Sequence, residues 1–171
     1  MSHIVSATIN TELLTLPVRV AIPGRDQRVS TRRIWTLELR DSDGHRGLGL
    51  AAPLPGFSAE GADEVESALH ALCEADGPLV GGSLNSIEAI TTLVGGAQWP
   101  ASVLHAVEQS LLELLAVRRS TSVRALLGGA TRALPYHALV SDPWTAQLAV
   151  AQGATALKIK IGSGDDALGD V

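Results

Sequence analysis

An α+β unit followed by the opening of a parallel α/β unit is the fold class that this sequence of 171 residues predicts. Three observations predict it. Near the N-terminus a strand pattern alternates, with Trp35, Leu37 and Leu39 on one face and Thr36 and Glu38 on the other. Helical stripes dominate the middle of the chain. From about residue 131, strand and helix patterns alternate, as they do in parallel sheets and barrels.

Taken in order, residues 3–16 mix β-branched and apolar side chains and read as a strand. Residues 17–32 contain Pro17, Pro23, Gly24 and four arginines, the last of them Arg32, and read as an exposed loop. Residues 33–40 form the alternating strand. Asp41-Ser42-Asp43-Gly44 supplies a tight turn, and residues 45–52 return as the second arm of a hairpin. Pro53-Leu54-Pro55-Gly56-Phe57-Ser58 breaks the sheet. The next helix carries Val65, Leu69, Leu72 and Cys73 on one face. Asn85 is placed to cap a short helix with Glu88 as reciprocal partner and a stripe of Ile87, Ile90 and Val94. Pro100 opens the strongest helix, which buries Val103, Val107, Leu111, Leu114 and Leu115 and ends at Arg118 and Arg119. A shorter helix at 121–127 stops at Gly128-Gly129. Residues 134–140 then read as a strand and 143–152 as a helix capped by Asp142. Residues 155–161 read as a second strand, and Asp165 and Asp166 as the start of a further helix.

The composition is globular, with 46% apolar and 18% charged residues. The net charge of −5 argues against nucleic acid and anionic membrane as partners. A lone cysteine, Cys73, cannot form an internal disulfide. No signal peptide pattern or membrane-length apolar run is present, so the expectation is a cytoplasmic protein without a membrane partner. The boundary between the two units falls at 130, giving domains 1–130 and 131–171. Two parallel strands cannot close a barrel, which predicts that the second domain is truncated and the chain a fragment.

Lys158 and Lys160 carry the clearest chemical signal. Two residues apart on a strand, they share one face at roughly 6.5–7 Å spacing, with Leu157, Ile159 and Ile161 on the other. Crowded, partly desolvated ammonium groups depress each other's pKa, which makes a lysine a usable base near neutrality. A solvated strand face is the plain alternative. The glycines at 162 and 164 loosely match a dinucleotide loop, but the lysines spoil the apolar strand such a loop requires. His105 and Glu108, three apart on a helix, lack a second ligand pair and read as a solvated face. His137 reads as a core or rim residue. Phe57 is the only phenylalanine in the chain and sits on a stiff loop, where an aromatic ring can wall a pocket.

Lys158-Ile159-Lys160, Leu126-Leu127-Gly128-Gly129, the hairpin Gly47-Leu48-Gly49-Leu50 running into Pro53-Leu54-Pro55-Gly56-Phe57-Ser58, and Pro100-Ala101-Ser102-Val103 together resemble the muconate-lactonising subgroup of the enolase superfamily. Within it they are most similar to the o-succinylbenzoate synthases. The resemblance covers the N-terminal portion of such enzymes. It implies an α+β capping domain followed by the first two strands of an incomplete (β/α) barrel. Leu50 stands where the family usually has Glu, and Gly61 where Thr is common.

The resemblance implies a Mg²⁺-dependent lyase of menaquinone biosynthesis that removes a proton α to a carboxylate. Lys160 is then the acid–base residue, and Lys158 tunes its pKa. Arg32, Pro55, Gly56, Phe57 and Ser58 lie in the loops that bind a small-molecule carboxylate substrate. No metal ligand is expected in these 171 residues, since the family's carboxylates lie on later barrel strands; without them the chain alone is expected to be inactive. A homo-oligomer is compatible with a full-length form. The same lysine pair also serves racemases of N-acylamino acids, dipeptide epimerases and muconate cycloisomerases. A non-catalytic remnant or binding fragment is the alternative from another class.

Overall fold

The computed structural model describes residues 2–21 and 28–159. The chain divides into two compact units. One comprises Met1–Val20 and Val29–Ala130, and the other Ala21–Arg28 and Thr131–Val171.

The first unit holds a three-stranded sheet in the order β1-β2-β3, built from β1 (Ile4–Ala21), β2 (Arg28–Asp41) and β3 (Arg46–Ala51). β2 and β3 are antiparallel, with Leu37 opposite Gly49 and Leu39 opposite Gly47. The expected alternation is present, and Trp35, Leu37 and Leu39 are fully buried. The expected loop at 17–32 is corrected. β1 continues to Ala21 and β2 begins at Arg28, so Arg32 stands on a strand. Val18, Val20, Val29 and Thr31 favour a pleated backbone, and Pro17 is tolerated because β1 is an edge strand. The remainder of that expectation, residues 22–27, lies outside the described residues.

Four helices follow: α1 (Ala62–Cys73), α2 (Ile87–Gly96), α3 (Ala101–Arg118) and α4 (Val123–Leu126). α1 buries Val65, Leu69 and Leu72 and leaves Cys73 half-buried. α3 buries Val103, Val107, Leu111, Leu114 and Leu115, as the stripe predicts, together with Ala106 and Ser110. These residues and the inner face of the sheet form one core with Ile4, Leu79 and Ile90. The cap of α2 is Ser86 rather than Asn85: its Oγ accepts from the Ala89 N–H at 3.1 Å. Asn85 instead accepts from Arg118 Nη1 at 2.9 Å. α4 ends as expected, with Gly128 at φ +75° and the Gly129 N–H returning to the Arg124 carbonyl at 2.8 Å.

The contact between β3 and α3 explains the glycines of the hairpin. A Cβ on Gly49 would overlap the Ala106 carbonyl oxygen. One on Gly47 would lie 2.7 Å from the Leu114 backbone nitrogen. The helix backbone therefore rests directly on the strand. α3 also meets the open edge of β3, since the Leu50 N–H donates to Gln109 Oε1 at 3.0 Å and the Leu48 N–H donates to Glu113 Oε2. Edge amides that would otherwise recruit another strand are satisfied within the unit.

A buried ion pair fastens the far end of the same helix. Asp41, 3% exposed, accepts from Arg118 Nε at 2.7 Å, and His45 Nδ1 lies 3.0 Å from the same carboxylate oxygen. Its other oxygen accepts the backbone N–H groups of Asp43 and His45 at 3.0 and 2.8 Å and so shapes the hairpin turn. Gly44 closes that turn at φ +85°. Burial alone would raise the Asp41 pKa. The hydrogen bonds from Arg118 and His45 outweigh it and hold the carboxyl well below the usual range.

The second unit pairs β4 (His137–Val140) and β5 (Ala156–Ile159) in parallel, with Leu139 opposite Lys158. Between them lies α5 (Pro143–Ala151), capped as expected by Asp142, whose Oδ1 accepts the Thr145 N–H at 2.8 Å. β4 begins at 137 instead of 134. A strand persists only where a neighbour takes its backbone hydrogen bonds, and β5 pairs from His137 onward. The end of the expected second strand, residues 160–161, and the expected helix at Asp165 and Asp166 lie outside the described residues. The strand–helix–strand order is that of a parallel α/β unit.

Two outcomes are expected. Gly49→Ala should destabilise the protein by about 3 kcal/mol through overpacking against the α3 backbone, read from the urea midpoint. Asp41→Asn should cost about 3 kcal/mol by stranding Arg118. Because the folded-state pKa of Asp41 lies below its ordinary 3.8, its contribution is full above that value and is lost as pH falls beneath it. Acid titration of the unfolding free energy should therefore show a steeper loss below about pH 4 for the parent than for Asp41→Asn.

Candidate functional site

The loop after β3 is held at both ends. At its start, the guanidinium of Arg32 donates through Nε to the Pro53 carbonyl at 3.4 Å and through Nη2 to the Ala52 carbonyl. Within it, the N–H groups of Phe57 and Ser58 both donate to the Leu54 carbonyl at 2.9 Å. Ser58 Oγ accepts the Leu54 N–H at 2.9 Å, which closes the turn from the other side. Gly56 occupies φ +82°, a conformation that the absent Cβ permits. At its end, Glu60 Oε1 accepts the Ser102 N–H in the first turn of α3 at 3.1 Å. The Glu60 backbone N–H lowers the pKa of its carboxyl. Burial opposes this, and hydrogen bonding from Ser102 adds to the lowering.

The outcome is a fixed turn with Phe57 at its tip, 46% exposed. Pro55 and Gly56 are exposed beside it, Ser58 is half-buried, and Pro53 is buried beneath. The structure thus brings together five of the residues that the sequence singles out: Arg32, Pro55, Gly56, Phe57 and Ser58. Arg32 reaches the loop from a strand and spends its donors on the loop's own carbonyls. Glu60 was not singled out by sequence reasoning. Its partner lies 42 residues away, and no local spacing signals such a contact.

In the second unit, Lys158 stands on β5. Leu157 bounds a shallow depression with Ala146, Gln147, Val150 and Ala151 of α5. By the alternation of a strand, Lys158 projects from the opposite face. Lys158 is exposed among the described residues. Leu157 and Ile159 are exposed as well. Lys160 lies outside the described residues.

Among the described residues, Asp41, Asp43 and His45 are the one group close enough together to share a metal ion. They do not fit a catalytic Mg²⁺. Both oxygens of Asp41 are already used by Arg118, His45 and the turn amides, and the imidazole is a poor ligand for so hard a cation. His105 and Glu108 line a cleft on α3 with Gln109, Leu112, Glu113 and Val123, but among the described residues they join no group of three ligands close enough to share an ion. No helix among the described residues is long and apolar enough to cross a membrane.

Residues 12–77 match the family model described as MenC, N-terminal domain. That segment contains the hairpin, the Pro53–Ser58 turn and α1. The chain has the fold of the N-terminal portion of enolase-superfamily enzymes, as the sequence resemblance implies. A mandelate racemase/muconate lactonizing enzyme from Roseiflexus sp. is 26% identical, with a TM-score of 0.72 over 93% of this chain and 43% of its own. The L-Ala-D/L-Glu epimerase from Bacillus subtilis is 25% identical, with a TM-score of 0.78 over 95% of this chain and 46% of its own. A dipeptide epimerase from Methylococcus capsulatus, in complex with Mg and the dipeptide L-Arg-D-Lys, is alike in fold at 21% identity, with a TM-score of 0.71 over 92% of this chain and 46% of its own. No curated protein matches the sequence. The chain spans less than half the length of the solved structures it resembles.

An exposed Lys158 contributes little to folding. Lys158→Ala should leave the urea midpoint unchanged, in contrast to Asp41→Asn.

Proposed function

We propose that this chain supplies the capping domain and first two barrel strands of an o-succinylbenzoate synthase-like dehydratase. Domains 1–130 and 131–171 take those two roles. The observation that carries the reading is the Pro53–Ser58 turn. It lies inside the segment that matches the MenC N-terminal domain, and it presents Phe57 from a pinned backbone. Such a loop selects substrate by shape when it faces an active site.

In this reading the substrate is a small carboxylate. Lys160, as a neutral amine, takes the proton α to the carboxylate, and the resulting ammonium returns a proton to the departing hydroxyl. One C–H and one C–O bond break, one C=C bond forms, and water leaves. Lys158 keeps Lys160 partly deprotonated by charge repulsion. Pro55, Gly56, Phe57 and Ser58 wall the far end of the substrate. Mg²⁺, if it serves here as it is held in the dipeptide epimerase, would need carboxylates that the described residues do not furnish. The place of action is the cytoplasm, in menaquinone formation.

A second reading is an epimerase or racemase acting on amino acid derivatives, favoured by the likeness to the B. subtilis epimerase. Both readings remove an α-proton, and they part at what happens next, loss of hydroxyl or return of the proton.

The purified chain alone should show no dehydration in the presence of Mg²⁺. Joined to a barrel half that bears metal-binding carboxylates, it should dehydrate its substrate, followed by the ultraviolet absorbance of the new conjugated C=C bond, and Lys160→Ala should abolish this. Turnover by the isolated chain, or dehydration that survives Lys160→Ala, would overturn the reading. Racemisation of an N-acylamino acid without dehydration would favour the second.

A further inference from the structure

Arg32 is a cation beside a loop that we read as substrate-facing, and the simplest role for it would be to bind the substrate carboxylate. The geometry points to a different one: we infer that Arg32 and Glu60 are positioning residues that hold residues 52–60 in one conformation and so fix where Phe57 stands. The inference rests on the reading of this loop as substrate-facing.

Three features carry it. First, the Arg32 guanidinium donates to two consecutive main-chain carbonyls, Ala52 and Pro53, where the chain leaves β3. Pro53 and Pro55 have no N–H to offer, so the backbone here cannot continue the ladder and must be held by side chains. Second, the side chain is half-buried, reaching across from β2 rather than out to solvent. Third, the other end of the loop has its own tie, from Glu60 to the Ser102 N–H. That bond satisfies one of the amides that α3 leaves open at its N-terminus, where Pro100 offers no capping side chain. Between the ties, the turn closes on the Leu54 carbonyl and on Ser58 Oγ. A loop fixed at both ends and closed in the middle has little freedom left for Phe57. Its position is set before any ligand arrives, which reduces the ordering cost of binding.

Amide hydrogen exchange on the full chain tests this without any substrate, so its failure is distinct from failure of the proposed dehydratase. Arg32→Met should speed exchange at the Phe57 and Ser58 amides by about tenfold or more, the loss expected from two carbonyl hydrogen bonds. Leu37 and Leu39 in the sheet should keep their protection. Arg32→Lys, whose ammonium can still donate to the same carbonyls, should restore most of the protection at the loop. Glu60→Gln, which retains an acceptor, should exchange like the parent, and Glu60→Ala should expose both the loop and the Ser102 amide. Unchanged exchange at Phe57 and Ser58 in Arg32→Met would overturn the inference. So would an equal rise at Leu37 and Leu39, which would make Arg32 a general support of the sheet. Were Arg32→Met not to fold, Glu60→Ala would decide by the same comparison of loop with sheet.

Discussion

The direct seating of α3 on β3 is the constraint on which the rest of the first unit depends. Two glycines let the helix backbone approach the strand so closely that a single added Cβ would collide with it. That approach brings Gln109 and Glu113 within reach of the strand's open edge and places Leu111, Leu114 and Leu115 over Leu37 and Leu39 in one core. It also sets the two ends of α3. The first turn of the helix reaches Glu60, and the last brings Arg118 to Asp41. The loop at 52–60 and the hairpin turn at 41–45 are therefore both referred to the same helix.

Those two ends differ in how they are stabilised. The Asp41–Arg118 pair is buried, and its strength comes from the number of donors that converge on one carboxylate. Such a node rewards completeness and penalises the loss of any member, because a charge left buried without its partner is costly. The loop at the other end uses main-chain carbonyls, two prolines and a positive-φ glycine, with side chains acting as ties. It leaves Phe57 exposed at the surface, at the cost of some apolar burial.

The second unit has a different character. Its strand–helix–strand order is plain in the sequence, but its described residues bury little: Val140 and Ala154 are inside, while Leu139, Trp144 and Ile159 are exposed. Parallel strands depend on covered faces for their stability. Lys158 is exposed there as well.

What the sequence by itself determined is local. Alternation at 35–39, the stripes of α1 and α3, the Asp142-Pro143 start and the Gly128-Gly129 stop each follow from side-chain periodicity or from what proline and glycine allow, and each is found where it was read. The motifs at 47–58, 100–103, 126–129 and 158–160 together carried the enolase-superfamily resemblance. The extent of β1 and β2 through 17–21 and 28–32 was missed, because loop-forming composition was outweighed by a partner strand. The Asn85 cap was misplaced by one residue, since Asn85 is engaged by an arginine from a distant helix. Only the tertiary structure decided the roles of Arg32, Asp41, Glu60, Gln109, Glu113 and Arg118. Each has a partner between 20 and 77 residues away, besides the local bonds of Asp41 within its turn. Contacts at such separations are set by how elements pack, and no spacing along the chain encodes them.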